Sequence, residues 1–181
     1  NFNYQKIGQD LISGLSSKQK AIILERFGLN KGERQTLEAV GDNFGVTRER
    51  VRQIQDSALK EIKFKTNGYK EVFQRFKKYF QNVGDVRKED TVLKELGEEK
   101  WQNQIYFLLT LDDRFLRFGA NQDFYPLWAA GFVSLEKAQK NISLLYQKLE
   151  ELKTPLSLKE LAKFVSQNTS VLESYLEVSK K

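Results

Sequence analysis

The chain has 181 residues, a net charge of +6 and 30% charged against 40% hydrophobic residues, a balance suited to a globular fold with a real core. It contains neither Cys nor His, which excludes disulfides, thiolate or imidazole catalysis and Cys/His metal sites. Its longest apolar runs, residues 105–109 and 126–133, are too short to span a bilayer. The first residue is Asn1 and no Met occurs, so a fragment of a longer protein is expected.

The charge is uneven. Residues 1–84 hold 16 Lys and Arg against 9 Asp and Glu, whereas residues 85–181 hold 14 against 15. A basic first half beside a near-neutral second half predicts two regions with different partners, the first suited to phosphate backbones.

The elements read in chain order as helices with short punctuation. Residues 4–13 place Ile7, Leu11 and Ile12 on one face. Ser16 and Gln19 form a capping box for a helix carrying Ile23, Leu24 and Phe27 that stops at Gly28. Residues 29–35 read as a loop. Thr36 caps a short helix with Leu37, Val40 and Phe44 inward, and Gly45 supplies the turn. Thr47 caps a longer helix whose Val51, Ile54, Ala58 and Ile62 recur at spacings of three and four. Thr66-Asn67-Gly68 breaks it, and residues 71–80 form an amphipathic helix through Val72, Phe73, Phe76 and Phe80.

Residues 82–85 mark the expected domain boundary. Two further helices follow, one with Val92, Leu93 and Leu96, the next with Trp101, Ile105, Leu108 and Leu109. Aromatic runs at 115–118 and 124–128 flank a Gly/Asn turn and predict a β-hairpin. Residues 134–153 form a long helix, and a last pair covers 156–167 and 170–181, with capping boxes at Ser157/Glu160 and Ser170/Glu173. The fold class expected is mainly α: a helix-turn-helix domain over 1–82, a winged-helix-like domain with one hairpin over 85–133, and a long helix plus helix pair over 134–181.

Within the first domain, residues 36–59 have helix-turn-helix grammar: short helix, glycine turn, capped second helix. The second helix opens Thr47-Arg48-Glu49-Arg50-Val51-Arg52-Gln53-Ile54. Its polar residues cluster at the end that enters the major groove in this motif. Arg bonds guanine O6 and N7, Gln pairs with adenine, and Glu accepts from cytosine N4. A solvated helix with three arginines is the competing explanation.

The blocks at residues 15–29, 36–41 and 44–54, the last containing Val46-Thr47-Arg48-Glu49-Arg50-Val51-Arg52-Gln53-Ile54, resemble in order and spacing region 4 of the sigma-70 family of bacterial transcription initiation factors. The resemblance covers residues 5–65. It implies a reader of the −35 promoter element, with Arg48, Glu49, Arg50, Arg52 and Gln53 reading bases. It further implies phosphate contacts from Lys18, Arg26, Lys31, Arg34, Thr36, Leu37, Glu38, Thr47 and Lys63, Leu37 and Glu38 acting through backbone amides. Its implied partners are double-stranded DNA and the β flap of RNA polymerase, for which Ile7, Leu11, Leu15 and Ile23 are either a docking surface or domain core. A cytoplasmic, nucleoid-associated protein without cofactor is implied. The departures are Gln55-Asp56-Ser57, where the family is often more basic, and the lack of any visible region 2, the part that opens promoters.

The second half loosely resembles winged-helix modules, including the HARE-HTH type, over residues 87–128 and again over 154–181. Its candidate wing carries Arg114 and Arg117 beside Asp112, Asp113 and Asp123, and its last helix offers Glu173 and Glu177, so protein binding or a structural role is expected there rather than base reading. Leu135, Ala138, Ile142, Leu145, Leu149 and Leu152 form a coiled-coil-like seam. Burial against neighbouring helices is the simpler reading, and a homodimer through residues 135–152 the other. Asp112-Asp113 is the one notable carboxylate pair and reads as a turn or cap, so no enzyme is expected. The competing function is a protein-interaction module that binds polymerase or another transcription protein without reading bases.

Overall fold

A computed structural model describes residues 2–30 and 32–180. The chain is mainly helical with one small antiparallel sheet. It divides into two compact units, each built from separated stretches: unit 1 is Asn1–Phe73 with Leu93–Asp112, and unit 2 is Gln74–Val92 with Asp113–Lys181.

Unit 1 contains α1 (Tyr4–Ile12), α2 (Ser17–Phe27), α3 (Leu37–Phe44), α4 (Arg48–Lys65), a 3₁₀ turn (Thr66–Tyr69) and α7 (Gln102–Thr110). The starts of α1 to α4 have a local cause. Asn3, Ser16, Thr36 and Thr47 each accept a backbone N–H from the first turn of the helix that follows, and Ser16 with Gln19 forms the expected capping box. The α3–α4 turn depends on two glycines. Gly45 ends α3 at φ +61°, and Gly41 lies so close to the turn that a Cβ there would meet the Val46 carbonyl oxygen at 2.6 Å. Ile22, Val40, Val51 and Ile54 form the core of the helix-turn-helix, with Leu37, Phe44 and Val46 partly buried around it.

α7 packs against α1 and α2. Its Ile105, Phe107, Leu108 and Leu109 are fully buried, and Phe107 meets Phe27 edge to face at 5.1 Å between ring centroids. Asn103 donates from Nδ2 to the carbonyls of Gly28 and Gly32, at 3.0 and 2.9 Å, and so fixes the loop after α2.

Unit 2 holds the sheet. β1 (Val86–Lys88), β2 (Leu116–Phe118) and β3 (Leu127–Ala129) run antiparallel in the order β1-β3-β2, with Arg87 and Arg117 both opposite Trp128. The expected hairpin is present as β2 and β3. β1 is an addition that the sequence reading lacked. α8 (Phe132–Leu152) and α10 (Thr169–Val178) cover the sheet through Ala138, Ile142, Tyr175 and Val178, which cluster with Val86, Leu127 and Ala129. A second cluster joins Leu145 of α8 to Leu161, Ala162 and Val165 around α9 (Leu158–Phe164) and to Leu172 of α10. Arg87 donates to the Ser174 hydroxyl at 3.0 Å and pairs with Glu177, which also accepts from Thr91.

The remaining helices, α5 (Lys70–Asn82) and α6 (Glu89–Gly97), each contribute residues to both units. Within unit 2, Phe80 of α5 stacks on Phe115 at 5.0 Å.

Two expectations change, the domain cuts and the α10 cap, and two open alternatives are decided in favour of burial. The cuts at residues 82–85 and 133–134 do not coincide with the two units, because α7 buries its apolar face on α1 and α2 while α8 buries its own on the sheet and α10. The seam of α8 is occupied inside unit 2: Ala138, Ile142 and Leu145 are buried and Leu135 and Leu149 pack beside them, so the apolar stripe needed for a homodimer through residues 135–152 faces its own core. The cap of α10 is Asn168, whose Oδ1 accepts from the Val171 N–H at 2.8 Å, in place of the Ser170/Glu173 box. Finally, Ile7, Leu11 and Ile23 are core, and only Leu15 of that set is half-exposed, so they form no surface for a polymerase flap.

Candidate nucleic-acid interface

α4 separates its two roles by helical position. Val51, Ala58 and Ile62 are fully buried and Ile54 nearly so, which seats the helix against α2 and α3. Arg48, Glu49, Arg50, Arg52 and Gln53 are all exposed. The Thr47 hydroxyl accepts the Arg50 N–H at 3.2 Å and so starts the helix where this cluster begins.

Four of the five exposed side chains form one network. Arg52 bonds Glu49 through two nitrogens, Nε to Oε2 at 2.8 Å and Nη2 to Oε1 at 2.7 Å. Its Nη1 bonds Asp56 Oδ2 at 2.7 Å. Arg50 donates to Gln53 Oε1 at 3.1 Å, and Gln53 donates back to Glu49 Oε1 at 3.4 Å. The hydrogen bonds from Arg52 hold the Glu49 carboxyl below the usual carboxylate range, and Arg48 and Gln53 act in the same direction. The same bond and charge pair hold Arg52 even more firmly protonated.

Around the α3–α4 turn lies a groove lined by Glu38, Gly41, Thr47, Arg48, Glu49 and Arg52. A second groove, between the start of α2 and α4, brings Lys18 beside Arg50, Gln53 and Ser57. At the start of α3, Thr36 caps through the Ala39 N–H at 3.1 Å. The Leu37 and Glu38 N–H groups precede the first intrahelical bond, which Val40 makes to the Thr36 carbonyl. The Leu37 side chain is half-buried in the helix-turn-helix core, so it can meet a ligand only through its backbone.

Other expected phosphate contacts are engaged elsewhere. Arg26 is half-buried and donates from Nη1 to the Gln35 carbonyl, bracing the α2–α3 loop. The Arg34 guanidinium lies over the Tyr106 ring of α7 at 4.1 Å from the centroid. Lys63 is at the far end of α4, about 22 Å from Arg48 at 1.5 Å per residue. Lys31 lies outside the described residues. In unit 2, Arg117 of the candidate wing pairs with the buried Glu89. Among the described residues no group of three or more acidic side chains is placed to hold a metal, Asp112 and Asp113 included.

Sequence reading gave no positioning role to two residues, Asp56 on α4 and Asn103 beneath the α2–α3 loop. Asp56 carries a signal, since it stands four residues after Arg52 on the same helix face. Asn103 carries none, because it reaches its loop partners across more than seventy residues.

This seated, capped helix with its polar N-terminal cluster has a counterpart among known proteins. Residues 11–63 match the family Sigma-70, region 4. The region-4 segment takes in α2, α3, both turns and α4 as far as Lys63, with every exposed residue of the network. The chain is also similar to the RNA polymerase sigma factor SigA of a Bacillus species, 44% identical over 55 residues that cover 30% of this chain. It spans about 15% of that relative's length. α7, which closes the core beneath the region-4 segment, lies outside the matched residues. Among the described residues no helix is long and apolar enough to cross a membrane.

Proposed function

We propose that this chain binds double-stranded DNA selectively through the N-terminal end of α4, reads a promoter element of the −35 type, and acts with bacterial RNA polymerase in the cytoplasm at the nucleoid. The observation that carries the reading is the exposed run Arg48, Glu49, Arg50, Arg52 and Gln53 on a region-4 helix whose opposite face is locked into the core. Arginines bond guanine edges, Glu49 accepts from a cytosine amine and Gln53 pairs with adenine. Lys18, Lys63, Thr36, Thr47 and the free amides at the start of α3 hold the backbone and set the register. Arg26 and Arg34 keep the intervening loop in shape.

The second half runs strand, helix, helix, strand, strand from β1 to β3, which supports a winged-helix-like reading of residues 85–133. Arg117 and Glu177 are both engaged in internal pairs there, which favours a structural or protein-binding role for it.

A second reading keeps the polymerase partner and drops base recognition. The observation favouring it is that Arg52 is already neutralised by two carboxylates. Selection from a random duplex pool at two salt concentrations separates the two. A retained motif lost on Arg52→Ala supports DNA reading. Retention that disappears with salt and enriches no motif rejects it.

A further inference from the structure

We infer that Asp56 is a positioning residue that fixes the base preference of Arg52; the inference rests on the DNA-reading proposal above. Glu49 stands three residues before Arg52 and Asp56 four residues after it, and all three side chains remain about half-exposed. Glu49 alone grips one edge of the guanidinium, through Nε and Nη2. A group held along one edge can still swing about it. Asp56 takes Nη1 at 2.7 Å and stops that rotation.

A guanidinium has five N–H donors. Three are engaged here, and the two left over sit one on each terminal nitrogen. Two donors match the two acceptors, O6 and N7, on the major-groove edge of one guanine. The double grip therefore leaves Arg52 with one fork in one orientation, and it removes in advance much of the rotamer freedom that a long side chain loses on binding. An exposed ion pair adds little to helix stability, and an extra carboxylate on a DNA-facing surface weakens attraction to phosphate. Orientation of Arg52 is the role that remains for Asp56.

Two variants separate orientation from charge. Asp56→Ala and Asp56→Asn remove the same charge, but only Asn keeps an acceptor for Nη1. The full chain and both variants are put through the same duplex selection, beside Arg52→Ala, with circular dichroism to verify helix content. The expected result is a wild-type motif with one base pair whose preference Arg52→Ala abolishes. At that base pair alone, Asp56→Ala weakens discrimination by roughly fivefold or more, while Asp56→Asn stays within about twofold of wild type. Equal changes in affinity for every sequence in both variants, with the preference at that base pair intact, would show that Asp56 acts only as a charge and would overturn the inference. A wild-type pool with no motif overturns the DNA-reading proposal itself and this inference with it, and is recognised by the failure before any Asp56 variant is compared.

Discussion

Phe107→Ala tests the membership of α7 in the region-4 unit. The Phe107 ring is fully buried and meets Phe27 edge to face at 5.1 Å. A buried aromatic removes about 150–250 Å² from water, and at about 25 cal/mol per Å² that is worth roughly 4–6 kcal/mol as an upper bound. Alanine keeps the Cβ, so the expected loss is about 3–5 kcal/mol, cavity included. For a unit of 60–100 residues, each kcal/mol lowers the melting midpoint by about 4–8 °C, so a fall of about 12 °C or more is expected. Thermal unfolding followed by circular dichroism gives the size of the loss. Amide exchange resolved by peptide gives its location, which should be α1, α2 and α4 as well as α7. A loss under about 1 kcal/mol, or lost protection only in unit 2, would refute the assignment of α7 to this core.

Further variants probe the interface and unit 2. Lys18→Ala should lower the slope of log affinity against log salt by about 1, whereas Arg34→Ala should leave that slope unchanged and lower stability by about 0.5–1 kcal/mol through the lost stack on Tyr106; equal slopes for both, or a reversed pattern, would contradict the placement of these cations. Ile142→Ala should destabilise unit 2 by about 2–5 kcal/mol at a sedimentation mass equal to wild type, and a melting point that rises with protein concentration would instead put the α8 seam between two copies. Burial raises the Tyr175 hydroxyl above the usual phenol range, and the nearby Asp85 charge adds to it. The phenol is therefore neutral longer in the folded state than in the unfolded one. The stability linked to it is fully present below about pH 10, the unfolded value, and is lost as pH rises further. Tyr175→Phe should flatten that alkaline loss, and melting curves from pH 8 to 11 that fall equally in both proteins would count against the linkage.

The helices of the region-4 segment were legible because their signals are local. Ser16 with Gln19, Thr36, Thr47 and the glycines at 28 and 45 each act within four residues of where they stand. β1 was illegible for the opposite reason. Val86-Arg87-Lys88 is too short to show alternation, and it becomes a strand by pairing with Trp128 and its neighbours some forty residues on. The α10 cap was misplaced because Asn168, Thr169 and Ser170 are adjacent residues all able to cap, and packing of Val171 and Leu172 decides among them. At the interface, the residue types on α4 were readable, but the use of Arg26 and Arg34 was not. Each arginine meets a group whose position only the folded loop and α7 determine.

Unit 1 is discontinuous along the chain, and this bears on the order of events during synthesis. The region-4 segment is complete at residue 63, yet its core is closed by a helix that ends at Thr110. At about 5–20 residues per second, roughly 2–10 s separate the two on the ribosome. Throughout that interval the apolar face that α7 will cover is open to solvent, and the residues made in between include the stretch Gln74–Val92 of unit 2. The nascent segment of residues 11–63 thus has a window of seconds in which chaperones or a neighbouring nascent chain can reach its core before α7 arrives.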